Sequence, residues 1–515
     1  MLARCSSASL NGLEARPVTV EVDLAPGLPG IQLVGLPDKA IQESRERVRS
    51  ALRNSGFRGP LVRVVINLAP ADLPKEGPAF DLPIALALLV ASGQLERPHL
   101  EGVWCSGELG LDGSLRPCRG VIAVADCASR QGAKGLVVPP ANADEAALIP
   151  DLHVLTADNL QELVQQLRGQ RPFPLVRSEK TPDKDAGINL SGGITTEDSL
   201  AARALALAAA GGHHLLFVGP PGCGKTHLAH QLPQLLPPLT RNEALTITRI
   251  HSVAGQLENS AQLMRERPFR EPHHSCSAAA LLGGGANPRP GELSLAHGGV
   301  LFLDELAEFR RAVLDQLRQP LEEGRVRLSR AHRNTIFPAS ITLVAATNPC
   351  PCGWHGDREH GCRCSTSQRQ RYWQRLSGPL LDRLDLQLRL ERRNACAVKT
   401  CMTEPTRRGD EHCWISPARI EKARQRMNHR NPGGVCNRLM SAHALRRVGR
   451  FQESALRLWE QLIDQRGLTA RSGLQLLRVA RTIADLNDNN EVSLESVAEA
   501  SCFRCSDLIR HSIAQ

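Results

Sequence analysis

A glycine-rich stretch between an apolar run and a helical pattern is the first part of the sequence that could do chemistry. The run Leu215–Val218 has the length and composition of a buried strand, and a helical pattern begins at His227. Between them stands Gly219-Pro220-Pro221-Gly222-Cys223-Gly224-Lys225-Thr226, which fits the P-loop pattern in the strand–loop–helix context it requires. Glycines let backbone N–H groups surround a polyphosphate, Lys225 supplies a charge to the β- and γ-phosphates, and the Thr226 hydroxyl suits Mg²⁺. The stretch therefore predicts a nucleoside triphosphate site rather than a chance glycine-rich turn.

Carboxylates and an asparagine follow two further apolar runs. The run 299–303 leads into Asp304 and Glu305, and the run 341–346 leads to Asn348. Asp304 is suited to hold Mg²⁺ through its waters, and Glu305 to polarise the attacking water as general base. Asn348 can align the same water, although an asparagine at this place is also compatible with an ordinary turn. Combined with the P-loop, these residues predict hydrolysis of the bound nucleotide.

A sheet with a large aliphatic core must position these side chains. The chain has 515 residues, which favours about three domains, and 42% of them are hydrophobic. Aromatic residues make up only 3%, with a single tyrosine, so stacking on aromatic rings cannot dominate any nucleic-acid binding. In the amino-terminal third, the pattern predicts helices over 37–54, 82–92 and 120–131 and a strand over 61–68.

The charge balance indicates a partner. The net charge is +10, and between residues 361 and 470 the basic residues outnumber the acidic ones by about two to one. On a nucleotide-hydrolysing protein this excess favours a polyanion such as nucleic acid as the partner. A solvated charged surface is the alternative.

The sequence also bears on the compartment. No run of about 20 apolar residues is present, so we expect no membrane span. The start Met1-Leu2-Ala3-Arg4-Cys5-Ser6 lacks the apolar core of a signal peptide. Sixteen cysteines in a chain of this size are then typical of reduced thiols, and we expect a cytoplasmic protein.

Four of the cysteines stand close together in the chain. Cys350 and Cys352 form one pair, Cys362 and Cys364 form another, and nine residues separate the pairs. Four thiolates can hold one tetrahedral Zn²⁺, with His355 and His360 as substitute ligands. The C-x-C spacing is narrower than the common C-x₂-C, so free thiols in a tight loop are the alternative.

Two stretches of the amino-terminal region carry a resemblance to a known domain. They are NLAPADLPKEGPAFDLP at 67–83 and GELGLDGSLRP at 107–117. Both resemble the domain of magnesium chelatase-like proteins that is similar to the proteolytic domain of Lon. Lon-type peptidases use a Ser–Lys dyad, and this resemblance aligns Ala79 and Ile122 with its two members. Since neither residue supplies a nucleophile or an amine, a structural or DNA-facing module without peptidase activity is implied.

The rest of the chain carries a second resemblance. The motifs are GGH at 211–213, PFREPHHS at 268–275, GGGANPRPGELSLAH at 283–297, NPCPCG at 348–353, SGPLLDRLD at 377–385 and LRVARTIADL at 477–486. With the P-loop, they resemble AAA+ ATPases of the magnesium chelatase/MCM branch, most closely the ComM (YifB) family. The match covers nearly the whole chain. It implies ATP and Mg²⁺ as cofactors, a homohexameric ring, and active sites between subunits.

This resemblance implies roles in nucleotide hydrolysis for two groups of arginines. Arg383 is implied as the finger that reaches a neighbour's γ-phosphate, with Arg375 as the second choice and a surface salt bridge as the alternative. Arg471 is implied as the lid residue that senses nucleotide in its own subunit, with Arg478 and Arg481 further along the same helix.

A β-hairpin that points into the pore is implied around Arg325, Arg327 and Arg330. Arg325 and Arg327 alternate along the chain, so they share one face of a strand and suit contact with DNA phosphates without sequence reading. Packing of the hairpin against its own domain is the alternative.

The fold implied is a multidomain α/β protein. Residues 1–170 correspond to the Lon-protease-like (S5-like) α/β domain, 171–187 to a linker rich in proline and charge, 188–400 to the AAA+ core with a parallel sheet, and 401–515 to a helical lid.

The function implied is that of an ATP-dependent hexameric DNA motor or helicase that promotes branch migration in recombination and natural transformation. Metal insertion into a porphyrin, as driven by the small subunit of magnesium chelatase, is an alternative, although that subunit lacks the Lon-like domain. ATP-dependent proteolysis is a third hypothesis, and the presence of Ala79 and Ile122 at the dyad positions argues against it.

Overall fold

The computed structural model describes residues 2–59, 61–174, 176, 199–257, 263–285, 287–330, 333–357, 359–392 and 416–504. It is a mixed α/β structure with two large sheets and a helical carboxyl-terminal region. The expected linker and the expected border at 400/401 fall mainly outside the described residues, so the division into domains stays a prediction. Within the described part, every helix is too short or too polar to cross a bilayer.

The amino-terminal region is built on a seven-stranded sheet of order β3-β4-β2-β1-β5-β8-β9. Its strands are β1 Leu2–Asn11, β2 Glu14–Ala25, β3 Gly30–Val34, β4 Arg63–Ala69, β5 Val103–Cys105, β8 Gly135–Val138 and β9 Val154–Thr156, with β6 Glu108–Leu109 and β7 Leu115–Arg116 paired separately. Its helices are α1 Lys39–Asn54, α2 Asp81–Ala91, α3 Val121–Arg130, α4 Ala143–Ala146 and α5 Leu160–Leu167. Short 3-10 helices cover Pro78–Phe80, Arg97–Leu100 and Pro140–Asn142.

Local sequence explains helices α1 and α2. Asp38 caps α1 by accepting the backbone N–H of Ile41, and α1 buries one stripe of side chains. Helix α2 is apolar all round and buried along its whole length. Its one acid, Asp81, is fully buried and is paired with Arg47 at 2.8 Å, which offsets the cost of burying the carboxylate.

The central region, residues 199–392, is built on a five-stranded parallel sheet of order β11-β14-β17-β10-β18. These strands are β10 Leu215–Val218, β11 Phe269–Arg270, β14 Val300–Leu303, β17 Thr342–Thr347 and β18 Leu386–Arg389; β12 Gly283–Gly284 pairs with β13 Arg289–Pro290, and β15 Arg325–Arg330 with β16 Arg333–Pro338. The helices are α6 Ser199–Gly211, α7 Lys225–Leu235, α8 Arg241–Ala254, α9 Ala278–Leu282, α10 Glu292–Leu295, α11 Arg311–Asp315, α12 Arg318–Glu323, α13 Thr366–Gln374 and α14 Gly378–Leu381, with a 3-10 helix at Leu306–Glu308.

Strand β10 is covered on both faces, which is why its residues are all apolar. Leu215 and Phe217 belong to one core cluster, and Leu216 and Val218 belong to another on the opposite face. The first of these clusters continues into the carboxyl-terminal helices α15 Pro417–Arg430, α16 Ala442–Val448, α17 Glu453–Arg466, α18 Ala470–Leu486 and α19 Leu494–Cys502, which are joined by 3-10 helices at Pro432–Gly434 and Asn437–Leu439. The carboxyl-terminal helices and the five-stranded sheet therefore share one hydrophobic core.

The amino-terminal region contacts the central region at helix α8. Arg249 Nη2 lies 3.3 Å from Asp126 Oδ2, and the Ser252 hydroxyl donates to the carboxylate of Glu145. Glu145 is only 4% exposed, and burial raises its pKa. A buried carboxyl group thus lies at the contact between the two regions.

Candidate functional site

The three predicted motifs meet at one edge of the five-stranded sheet. Because β10, β14 and β17 are parallel neighbours, their carboxyl ends lie side by side, with Val218 paired to Thr347 and Leu303 paired to Ala345. The P-loop leaves β10, the two carboxylates follow β14, and Asn348 follows β17. This edge is where ligands bind in open parallel sheets.

The P-loop glycines are required by its backbone. Gly222 and Gly224 have φ angles of +74° and +91°, which residues with a Cβ rarely adopt. Gly219 has an ordinary φ, but a Cβ there would lie 2.8 Å from the carbonyl oxygen of Leu390. Helix α7 begins at Lys225, so the loop ends on a helix N-terminus, which favours an anion.

Lys225 is the charged centre of this loop. Its Nζ donates to the carbonyl oxygens of Gly219 and Pro220 at 2.7 and 2.9 Å and to Asn348 Oδ1 at 3.1 Å. Burial lowers the pKa of Lys225, and the carboxylates of Asp304 and Glu305 act in the opposite direction. The lysine and the asparagine expected to act on one nucleotide are therefore in direct contact.

The residues expected to serve Mg²⁺ also lie together. The Thr226 hydroxyl donates to Asp304 Oδ2 at 3.2 Å, so a hydroxyl and a carboxylate converge beside the P-loop. These hard oxygen donors fit Mg²⁺, which is usually held by one or two protein oxygens together with phosphates. Asp304 Oδ1 accepts the backbone N–H of Glu305 at 2.8 Å, which fixes the turn between the two acids.

Glu305 has a partner that sequence reasoning missed. Its backbone has φ +50° and ψ +46°, a left-handed conformation that is strained for a residue with a side chain. His274 Nδ1 lies 3.2 Å from Glu305 Oε2, and the His273 ring contacts the His274 ring at a tilt of 33°, with centroids 4.1 Å apart. The motif at 268–275 contains both histidines, but nothing in its spacing indicates the acid they would meet.

The two finger candidates occupy different surroundings. Arg383 is mostly buried and forms an ion pair with Glu322 Oε1 at 2.7 Å, while its Nε donates to the Arg318 carbonyl oxygen at 3.0 Å. Arg375 pairs instead with Glu308 at 2.8 Å. Glu308 follows Glu305 by three residues in the sequence. Arg375 therefore lies near the acidic motif Asp304-Glu305, whereas Arg383 contacts both ends of helix α12.

The lid candidate Arg471 meets the same carboxylate as Arg383. Arg471 Nη1 lies 2.5 Å from Glu322 Oε1, so Glu322 bridges the two arginines. Burial, and then the charge of Arg471, lower the pKa of Arg383. Arg478 and Arg481 do lie further along α18, but Arg481 is fully buried and pairs with Asp485 at 2.9 Å, as a core residue does.

The predicted hairpin is formed by β15 and β16. The side chains of Arg325 and Arg327 are about half exposed, at 46% and 48%, and both contact Glu323, at 3.1 and 3.0 Å. Hydrogen bonds from Gln319 and then from the two arginines lower the pKa of Glu323 to about 2. Arg330 ends β15, and its side chain lies outside the described residues.

The hairpin also touches the amino-terminal region. A Cβ on Gly12, in the turn between β1 and β2, would lie 2.9 Å from Thr335 Cγ2 on β16. One strand of the hairpin therefore contacts the amino-terminal region, while Arg325 and Arg327 stay about half exposed.

The four clustered cysteines come together in space. Their sulfur atoms lie within 4.8 Å of one another, in the one group of metal-ligand geometry found among the described residues: Cys350, Cys352, Cys362 and Cys364. The substitute ligands are engaged elsewhere, since His355 lies 2.9 Å from Arg369 and the His360 ring stacks on Trp354. The cluster follows Asn348 directly in the chain.

The region that resembles a peptidase lacks a dyad at the aligned positions. Ala79 lies in the 3-10 helix Pro78–Phe80, where its carbonyl oxygen accepts Gly107 N–H at 2.9 Å, and Ile122 is fully buried in α3. Lys75, the lysine nearest in sequence to Ala79, is buried and donates its Nζ to the Pro70 carbonyl oxygen. Inactivity of this region stays a prediction that these contacts support.

Models of three protein families match most of the chain. "Subunit ChlI of Mg-chelatase" matches residues 20–142, "Magnesium chelatase, subunit ChlI" matches residues 194–398, and "Magnesium chelatase, subunit ChlI C-terminal" matches residues 415–504. The central match contains the P-loop, the acidic pair, the hairpin and the cysteine cluster.

Individual proteins are similar over the full length. The competence protein ComM of Haemophilus influenzae is 42% identical over 509 residues, which cover 98% of this chain and 97% of that protein. YifB of Escherichia coli is 42% identical over 496 residues, 96% of each chain. Lon protease 2 of Bacillus subtilis is 28% identical over 211 residues, 36% of this chain, which agrees with a Lon-like region.

Proposed function

The chain belongs to the ComM/YifB family of magnesium chelatase-like AAA+ proteins, and from this premise we propose that it is an ATP-driven DNA motor. It binds ATP and Mg²⁺, assembles as a homohexameric ring in the cytoplasm, and promotes branch migration of DNA during recombination and natural transformation. The observation that supports the ATPase best is the convergence of Lys225, Asn348, Thr226 and Asp304 at one edge of the sheet, with Glu305 beside them.

Each residue has a chemical task in this proposal. Lys225 and the P-loop amides bind the β- and γ-phosphates, and Thr226 and Asp304 hold Mg²⁺, which neutralises phosphate charge when bound. Glu305 accepts a proton from the attacking water, and Asn348 orients that water. Arg383 of the adjacent subunit stabilises the negative charge that develops on the γ-phosphate.

Arg471 takes a related task. Because Glu322 bridges Arg471 and Arg383, the two arginines lie on one surface and would meet one nucleotide together. The proposal therefore assigns Arg471 to the neighbour's nucleotide, in preference to the nucleotide of its own subunit.

DNA is the proposed polyanion. Arg325 and Arg327 form an exposed basic face on the hairpin, and arginines bind phosphates without reading bases. The competence protein ComM of H. influenzae, named above, supports a role with transforming DNA. The four-cysteine cluster is proposed to hold a structural Zn²⁺ close to this machinery.

A four-way DNA junction tests the proposal. We expect the full-length protein to hydrolyse ATP faster in its presence and to resolve the junction into duplexes, and we expect Lys225→Ala to do neither. Stimulation by a porphyrin-binding chelatase partner and not by DNA would favour metal insertion, the alternative that the family models keep open.

A further inference from the structure

Four cysteine sulfurs converge just after the strand that carries Asn348. Cys350 Sγ lies 3.3 Å from Cys352 Sγ and 3.7 Å from Cys362 Sγ, and Cys352 lies 3.6 Å from Cys362. Cys364 completes the group, since all four sulfurs lie within 4.8 Å of one another. All four thiols are free, so no pair of them forms a disulfide.

These separations fit a single tetrahedral ion such as Zn²⁺. Four sulfurs at the corners of a tetrahedron with Zn–S bonds of about 2.3 Å lie about 3.8 Å apart. A set of four soft thiolates selects Zn²⁺ or iron–sulfur chemistry, and a single central ion needs the short sulfur–sulfur distances found here. Backbone N–H groups of Trp354 and Arg363 donate to the Cys352 sulfur, which favours its charged form.

The cluster is joined to the nucleotide site by short contacts. Asn348 precedes Cys350 by two residues, and the Cys350 carbonyl oxygen accepts the Gly353 N–H at 2.9 Å. Gly353 has φ +84°, and a Cβ on it would lie 2.8 Å from Pro221 Cδ and 4.0 Å from Asn348 Cγ. The turn that carries the first cysteine pair therefore packs on the P-loop and on the asparagine at once.

The second cysteine pair leads into helix α13. Ser365, the residue after Cys364, caps this helix through a reciprocal capping box with Gln368. On the far side of the helix, Tyr372 Oη lies 3.1 Å from Thr347 Oγ1 at the end of β17. One ion shared by both pairs would therefore fix the start of α13 to the end of β17, from which Asn348 projects.

We infer that the four thiolates bind one Zn²⁺ and that the bound ion holds Asn348 and the P-loop in the geometry needed for ATP hydrolysis. The binding of Zn²⁺ does not depend on the proposed ATP hydrolysis or DNA binding, whereas the effect on hydrolysis rests on that proposed function. Zinc is a positioning element here, because the cluster contacts the P-loop and Asn348 and not the reacting atoms.

Metal content tests the first part. The full-length protein, purified without chelators, should contain about one zinc per chain by mass spectrometry, as one four-cysteine site requires. Growth in Co²⁺ should give the intense visible bands and the near-ultraviolet sulfur-to-metal charge transfer of a tetrahedral tetrathiolate. Zinc far below one per chain together with absence of the Co²⁺ spectrum would overturn the site.

Two variants test the second part. The double variant Cys352→Ser/Cys364→Ser should lose the metal, and its kcat for ATP should fall by about tenfold or more while KM for ATP changes little, because misplaced groups act on the chemical step. Cys502→Ser is the matched control, since Cys502 is exposed on helix α19 and lies outside the cluster. It should keep both the metal and the rate.

Removal and return of the metal in the wild-type protein tests the positioning role even if the double variant misfolds. Removal of the metal with a chelator that spares thiols, such as 1,10-phenanthroline, should lower kcat, and removal of the chelator followed by Zn²⁺ should restore it, with circular dichroism unchanged throughout. A metal-free protein that is folded and fully active would overturn the positioning role. A protein that binds zinc but never hydrolyses ATP would refute the proposed function and leave the metal site standing.

Discussion

His274 Nδ1 lies 3.2 Å from Glu305 Oε2, and this contact joins the motif at 268–275 to the acid expected to activate water. The contact occurs because β11, which ends just before the histidines, is the parallel neighbour of β14, which ends just before Glu305. A carboxylate engaged by an imidazole has fewer free lone pairs to accept a proton from water. The left-handed backbone of Glu305, which costs about 1 kcal/mol, indicates that the surrounding structure holds this arrangement in place.

Removal of the imidazole should release the general base. We expect His274→Ala to raise ATP hydrolysis several-fold in the absence of DNA and to reduce the further stimulation by DNA, as measured by steady-state phosphate release. His230→Ala is a suitable control, because His230 pairs with Glu271 rather than with Glu305. A lower rate with unchanged stimulation would show that His274 supports Glu305 instead of restraining it.

Arg383 should act on the nucleotide of another subunit. Arg383→Ala should lower kcat by about 1000-fold, the scale of an arginine finger, while binding of a fluorescent ATP analogue is retained. Mixed rings of Arg383→Ala and Lys225→Ala should recover activity, because some interfaces then contain both an intact lysine and an intact arginine. Arg375→Ala should lose less activity than Arg383→Ala. If Lys225→Ala restored activity when mixed with Arg375→Ala but not when mixed with Arg383→Ala, Arg375 would be the finger instead.

The hairpin arginines should bind DNA through its phosphates. Arg325→Ala/Arg327→Ala should weaken binding of single-stranded DNA equally for all sequences and reduce the slope of log K against log salt by about 1.4, the value for two phosphate contacts. Hydrolysis without DNA should stay unchanged. Arg457→Ala, which removes an exposed arginine paired with Glu453 on α17, is the control for net charge. An equal loss of binding in the control would argue against a specific hairpin site.

Glu145 should make the contact between the two regions sensitive to pH. Burial raises its pKa in the folded protein, so the folded state binds more protons than the unfolded state near this group. Its contribution to stability therefore falls as pH rises above the unfolded value, which is near 4.5. The difference in thermal midpoint between Glu145→Gln and the wild type should shift in favour of the variant as pH rises from 4 to 7. A difference that stays constant across this range would contradict the assignment.

Much of the nucleotide site could be predicted from sequence because its signals are local. The strand Leu215–Val218 and the loop to Thr226 are contiguous in the chain, and each follows from apolar length and glycine spacing. Helix α1 lies within the predicted range and ends at Asn54, and its cap Asp38 follows from the same kind of signal. The family resemblance drawn from the motifs is confirmed by full-length similarity to ComM and YifB.

The parts that could not be predicted depend on contacts between distant segments. The bridge from Glu322 to Arg383 and Arg471 joins three elements, and no periodicity in any one of them indicates the others. The cysteine pairs were visible as a spacing, but their convergence and their packing on Pro221 depend on the turn at Gly353. The roles of these residues stay predictions until variants are measured.

Hydrolysis of ATP by the full-length protein tests the central claim most directly. We predict that the wild type releases phosphate, that branched DNA accelerates the release, and that Glu305→Gln still binds ATP but hydrolyses it at least about 100-fold more slowly, as expected for loss of a general base. A folded protein that releases no phosphate, whether alone or assembled and with every form of DNA supplied, would contradict the account.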